Sequence, residues 1–550
     1  MAELVILEQT SSQQVRHQDN ENEINHYEHD GLVEGHVAES SERPDAEYPT
    51  GIRLWLTILS VVSILVFASM DMNIVATAVP AITDHFHTVA HVGWYSSAFR
   101  LSVCAFQFIF GKAYKLFSIK IVFLLSNIIS IVGSVLSGAA ISSTMLVVGR
   151  AVAGLGSAGL FAGSFIIIVQ STPLRRRPVF LGVLGAAEGL ATIAAPLIGG
   201  ALQTLSWRWC FYISVPTGGV TLLLTMFCLS DDRKPGAVAE LRFMQKVAQL
   251  DLVSNLFLVP GLTSLFLALS WAGTRYKWSS GQVIGPLAIF AVLIGVFFWK
   301  QARRGDAAVL PPRIMKHRCV IAGFIFIFCV NSTGVVLEYY LPTYYQLVRG
   351  YTPVKSGYMM LPIIIAATVG SLIHGAGTSA FGYYTPFMLL ASIILPIASG
   401  LITTIKIDTS FEKLIAYSAL SGLAYGIGFI GPQTAVQTVL PAEDVPLGLS
   451  IMLFAQSFGP AMSIPIAQVL FTNRLSDNLH GTVPNLNGTQ ISNSGLTEMV
   501  TNVPESLTRE VLVAIDKSLG QTWYLVVGLA SVAIVGSLMT EWRSVKEKRE

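Results

Sequence analysis

Apolar residues in this chain come in runs too long for the strands or core helices of a soluble domain, separated by short polar breaks. A helix needs about 20 mostly apolar residues to cross the hydrocarbon core of a bilayer. Fourteen stretches meet that length approximately: 55–79, 93–110, 119–139, 144–170, 179–203, 209–229, 252–272, 283–299, 319–341, 356–377, 384–404, 412–437, 446–471 and 522–540. The pattern predicts an all-α integral membrane protein. Residues 1–50 are polar and are expected to carry no cleavable signal sequence, which leaves the first span to start insertion.

The placement of Lys and Arg sets the orientation. With the chain starting on the cytoplasmic side, 21 basic residues fall on inner segments, among them Lys112, Lys115, Lys120, Arg175, Arg176, Arg177 and Arg313. Only seven fall on short outer loops, such as Arg208 and Lys355. Reversing the topology would invert that bias, so both termini are expected in the cytoplasm. The stretch 472–521 then faces outward, and its Asn487-Gly488-Thr489 is a glycosylation acceptor sequence on the permitted side. Asn331-Ser332-Thr333 matches the same pattern inside a span and is expected to stay unmodified.

Composition sharpens the class. Charged residues are 12% of the 550, about half the roughly 25% of soluble domains, and mean hydropathy is +0.60. That excludes a water-soluble or a wholly disordered chain. The net charge of +2 hides a balance of −10 in residues 1–50 against +12 in the remainder. A nucleic-acid partner is not expected, and the acidic tail, without apolar periodicity, reads as disordered. Cys104, Cys210, Cys228, Cys319 and Cys329 lie in or beside apolar stretches without paired spacing, as free thiols rather than disulfides or metal ligands. His374 is the one histidine within a span, and there is no nucleophile elbow, phosphate loop or zinc signature. No cofactor, no metal and no enzyme activity are expected.

A charge near mid-bilayer costs roughly 2.5–3.5 kcal/mol on insertion scales, so its retention points to function. Asp71, Arg150, Glu188 and Glu338 are the candidates for proton coupling. The alternative for each carboxylate is a structural ion pair, such as Asp71 with Arg100 or Glu188 with Arg150. Candidates for contacts to a substrate cavity are Arg100 and Gln107, seven residues apart on one helical face, with Asn331, Tyr339, Tyr340, Gln433, Gln437 and Gln456. The Gly- and Pro-rich fifth span, with Gly189, Pro196, Gly199 and Gly200, suits either close packing or flexing during alternating access.

These residues sit in patterns of a known family. Ser206 to Pro216 (SWRWCFYISVP) and Asp71 to Pro80 (DMNIVATAVP) carry the resemblance, together with Gly111 to Lys120 (GKAYKLFSIK), Leu341 to Gln346 (LPTYYQ), Ser356-Gly357 and Leu361-Pro362. From about residue 50 to 540 the chain resembles a major facilitator superfamily transporter of the 14-span drug:proton antiporter type, in its fungal toxin-efflux branch. Ala191 to Gly200 (ATIAAPLIGG) is similar to the antiporter motif of the fifth span, with two glycines replaced by alanine, and Lys115 stands where the general loop motif has aspartate.

The resemblance implies an acidic cytoplasmic tail (1–50), a six-helix bundle (51–232), an inserted helix pair with cytoplasmic flanks (233–318), a second six-helix bundle (319–541) holding the outer loop 472–521, and a basic cytoplasmic tail (542–550). It further implies proton-coupled export of a small hydrophobic organic molecule, a fungal secondary metabolite, mycotoxin or drug, by a monomer in the plasma membrane. A vacuolar location, an importer such as a siderophore–proton symporter, and a non-transporting sensor are the alternatives. The partners are then the substrate, protons and lipid.

Overall fold

Helices occupy each of the fourteen predicted stretches. In chain order they are α1 (Gly51–Phe86), α2 (Val92–Leu116), α3 (Ile119–Gly138), α4 (Ser143–Ser171), α5 (Arg177–Gln203), α6 (Ser214–Cys228), α7 (Leu252–Trp271), α8 (Gly281–Arg304), α9 (Arg318–Thr343), α10 (Leu361–Phe381), α11 (Thr385–Thr403), α12 (Phe411–Phe429), α13 (Val445–Leu479) and α14 (Glu505–Met539). The computed structural model describes residues 48–86, 92–203, 205–229, 243–273, 276–479 and 505–546. Among these, twelve helical stretches are long and apolar enough to cross a membrane. The helices α2 and α5, which carry Arg100 and Glu188, are not among the twelve.

Local chemistry sets the helix ends. The side chains of Ser118 and Ser142 cap α3 and α4 by accepting from the amides of Ile121 and Met145. α12 stops at Phe429, and a separate short helix, Gly431–Val439, follows after Ile430, because Pro432 has no amide hydrogen to continue the ladder.

The helices α1 to α6 pack on one another, and so do α9 to α14; α2 crosses α13 and α5 crosses α10 where the two groups meet. The pair α7 and α8 pack together, and α7 leans on α2 and α13. Small residues permit the closest crossings. On α12, a Cβ added at Gly422 or Gly426 would fall onto the carbonyl groups of Ile363 and Ala367 on α10. Gly426→Val is therefore expected to lose about 1–3 kcal/mol or more to overpacking, read as a lower melting temperature and reduced yield of purified protein.

One expectation needs correction. The predicted outer loop 472–521 is largely helical where it is described, since α13 runs on to Leu479 and α14 begins at Glu505. Val511, Ile515 and Leu519 recur every four residues and bury against Leu475 and Leu479 in one apolar cluster. Their polar neighbours lower the average hydropathy, so a scan for membrane spans passes over an amphipathic helical extension. Asn487, the acidic tail to residue 47 and the side chain of Pro196 lie outside the described residues. The five cysteines are free, all buried except the half-buried Cys228.

Candidate functional site

Where α1, α2 and α5 face α9, α10, α12 and α13, the helices line a cavity of about 110 Å³. Its polar lining includes Asn73, Arg100 and Gln107 from α1 and α2, Glu188 and Thr192 from α5, Asn331 and Glu338 from α9, and Tyr425 and Gln456 from α12 and α13. Val103, Phe161, Leu337, Ile363, Phe429 and Leu453 supply apolar wall. A mostly apolar chamber with a few convergent polar groups is the usual form of a small-molecule site.

The polar groups are linked. Tyr425 Oη donates to Asn331 Oδ1 (2.6 Å), and Asn331 Nδ2 donates to the carbonyl of Gln456. Gln456 Nε2 in turn reaches across the interface to Glu188 Oε1 at 3.4 Å. On the first group, Arg100 donates to Asn73 Oδ1 at 2.9 Å. Glu188 Oε2 and both side-chain polar atoms of Gln107 are buried without a hydrogen-bond partner. Buried polar atoms left unpaired are uncommon and mark places where water or a ligand belongs.

The predicted candidates divide. Arg100, Gln107, Glu188, Gly189, Asn331, Glu338 and Gln456 all line the cavity. Asp71 and Arg150 do not. They form a fully buried ion pair, Arg150 Nη1 to Asp71 Oδ1 at 3.3 Å, inside the first helix group. Arg150 also donates to the carbonyls of Tyr95 (3.1 Å) and Asp71 (3.0 Å) and lies over the Phe99 ring at 4.4 Å. The partnering expected from sequence thus changes: Arg150 serves Asp71 rather than Glu188, and Arg100 serves Asn73 rather than Asp71. Each residue step turns a helix by about 100°, which carries Asp71 to the core while Met72 and Asn73 reach the cavity.

The same rotation turns Tyr339 away, leaving it 54% exposed. Tyr340 buries against α13, its hydroxyl donating to Gln468 Oε1 at 3.1 Å. Gln433 and Gln437 lie off the lining; the Gln433 amide contacts Gln456 Oε1 at 3.2 Å, and both polar atoms of Gln437 are buried without partners. Gly199 fits against Ile74 and Thr77 of α1, while Gly200 has nothing near it. Asn73, Thr192 and Tyr425 are among the cavity residues that sequence reasoning missed; for Tyr425, a tyrosine between Gly422 and Gly426 on a glycine-rich span was the signal available.

At one end the two helix groups are clasped. Lys115 Nζ, at the end of α2, meets Asp444 Oδ1 just before α13 at 2.8 Å, and Arg313 Nη1 meets Asp444 Oδ2 at 2.5 Å. Ser379 donates to the carbonyl of Arg175 at 2.7 Å, and Phe108 stacks on Phe454 with ring centroids 4.5 Å apart. Burial alone would raise the Asp444 carboxyl, but the hydrogen bonds from Arg313 and Lys115 outweigh it and hold it below its ordinary 3.8. Lys115, opposite in charge to the residue expected in that loop motif, thus finds an acid on the facing group.

Comparison with known proteins agrees with this architecture. A Major Facilitator Superfamily model matches residues 61–464. The chain belongs to the major facilitator superfamily. It is 38% identical to the MFS-type efflux pump MFS1 of Arthroderma benhamiae over 522 residues, covering 94% of this chain and 97% of that protein. It is 39% identical to efflux pump roqT of Penicillium rubens (88% and 89% covered) and 37% identical to efflux pump aflT of Aspergillus parasiticus (91% and 98% covered). The human organic anion transporter MFSD10 shares the fold with a TM-score of 0.55 at 12% identity, covering 87% of this chain and 99% of that one. The proton:xylose symporter XylE does so at 0.54 and 12% identity, covering 86% and 98%. This superfamily member is a multi-pass membrane transporter and not an enzyme.

Proposed function

We propose that this transporter exports a small, largely apolar organic compound, of the kind fungal secondary metabolism makes, in exchange for protons. The observation that carries the reading is the shared cavity, with Glu188 from one helix group and Glu338 from the other facing it. Among the described residues neither carboxylate forms an ion pair within 4.0 Å, so each is free to exchange a proton or to bind a polar substrate group. Glu188 and Glu338 are accordingly the foremost coupling sites, and Asp71 with Arg150 is the pair that shapes the helix group around them. Three relatives named as efflux pumps, similar over nearly the whole chain, support the direction of transport.

In this reading fourteen helices cross the plasma membrane, as two six-helix bundles (51–232 and 319–541) with α7 and α8 inserted between them, and both termini are cytoplasmic. The protein acts as a monomer. The basic residues Lys112, Lys115, Arg175, Arg176 and Arg313 all lie in segments at the clasped end, which makes that end the cytoplasmic one. The structure then corresponds to a state closed to the cytoplasm. Deleting the gene is expected to raise the intracellular and lower the secreted amount of at least one metabolite by comparative mass spectrometry; identical profiles under producing conditions would refute export.

The clasp is not the proton switch. Asp444 is held below 3.8 in the folded protein, so its stabilisation is fully present above that value and is lost only as pH falls through the lower folded pKa. Closure of the clasped end, followed by the distance between labels on the two groups, is therefore expected to be unchanged between about pH 5 and pH 8.

A further inference from the structure

The helices α7 and α8 are joined to the segment that follows them by one buried acid. Asp251 caps α7 with a left-handed backbone (φ 49°), and its buried carboxylate collects Lys300 (3.3 Å), Arg304 (3.0 Å) and Gln301 (3.3 Å) from the end of α8. Gln301 Oε1 then accepts from the amide of Leu310 at 3.1 Å, tying the connector 305–316 to the hairpin. Val309, Leu310 and Ile314 bury in the same apolar cluster as Tyr114 of α2, Leu258 of α7 and Leu447 of α13.

From this block, contacts reach both helix groups. Lys112 of α2 donates to the carbonyls of Ala308 (3.0 Å) and Ala307 (3.3 Å). Arg313 pairs with Asp444, in front of α13, and with Asp306 of its own segment at 3.0 Å. Asp444 is fully buried and shared between Lys115 and Arg313, so parting Lys115 from Asp444 leaves Asp444 still bound to the connector.

We propose that the connector 305–316, anchored through Asp251 to the inserted hairpin, is a third member of the cytoplasmic gate, and that Arg313 is a positioning residue acting through Asp444. This rests on the reading that the Lys115–Asp444 clasp opens during transport. The inserted pair then has a mechanical role, because it sets how readily the two groups separate at the clasped end. Arginine suits the position because its rigid fork keeps Asp444 and Asp306 engaged together.

The test needs no substrate. The full chain, with the half-buried thiol removed by C228S, is spin-labelled through R176C and F381C, on opposite groups at the clasped end, and the label separation is measured in lipid nanodiscs. K115Q breaks the clasp directly and is expected to populate longer separations. R313Q is expected to do the same, with roughly a tenfold rise in the open-to-closed ratio, the factor equivalent to 1.4 kcal/mol, while R313K, which keeps the charge but loses the fork, is expected to fall between R313Q and the parent protein. A merely structural role would lower thermal stability without this shift. Longer separations for K115Q with an unchanged distribution for R313Q would overturn the inference and leave the clasp standing. An unchanged distribution for both would overturn the clasp reading and the inference with it.

Discussion

Glu188→Gln is expected to abolish transport driven by a pH gradient while leaving substrate exchange at equal pH intact. The amide keeps the size of the side chain and can still meet Gln456, 3.4 Å away, so the cavity keeps its shape. It cannot take up or release a proton, so the energy of the gradient is lost. One proton moving down about 100 mV releases roughly 2.3 kcal/mol, and two pH units add about 2.7 kcal/mol at 1.36 per unit. Together these sustain a gradient of several thousandfold in a neutral substrate, since about 1.4 kcal/mol is a factor of ten. In everted vesicles the variant should therefore fall from concentrative accumulation to equilibration. Asp71→Asn in the same vesicles separates the two carboxylate sets. If it alone abolishes accumulation, with folded protein present, Asp71 carries the proton and Glu188 does not.

Arg150→Met should produce the largest loss of folded protein. It leaves Asp71, with no exposed side-chain surface, as an uncompensated charge, and breaking a buried pair by removing one partner costs about 3–5 kcal/mol. It also removes the donors to the carbonyls of Tyr95 and Asp71 that tie α4 to α1 and α2. Asp71→Asn combined with Arg150→Met removes both charges and should recover most of the yield and melting temperature of the purified protein, because a neutral pair has no net charge to desolvate. No recovery would show that Arg150 acts through its carbonyl contacts and not through the ion pair.

The candidate site was legible in part, and the division has a physical cause. Insertion cost singled out the polar residues within spans, and those on faces turned toward the interface, such as Arg100, Gln107, Glu188, Asn331, Glu338 and Gln456, proved to line one cavity. What the cost cannot tell is where a charge points. Asp71 and Asn73 are two residues apart, and one is in a buried pair while the other faces the cavity. Glu338 and Tyr339 are adjacent, yet they point to different surroundings. Asp444 gave no signal as a single acid in a short break, because its meaning comes from Lys115 and Arg313, both more than 100 residues away in the chain.

The amino-acid sequence by itself determined the membrane class, the places of the apolar helical stretches and the family. These follow from run lengths of apolar residues and short motifs, properties that a lipid solvent imposes on each segment separately. Only the tertiary structure decided which buried charges pair, which polar groups share a chamber and which end of the molecule is shut. Those outcomes depend on helix rotation and on contacts between segments hundreds of residues apart, such as Glu188 with Gln456, and a one-dimensional pattern carries neither.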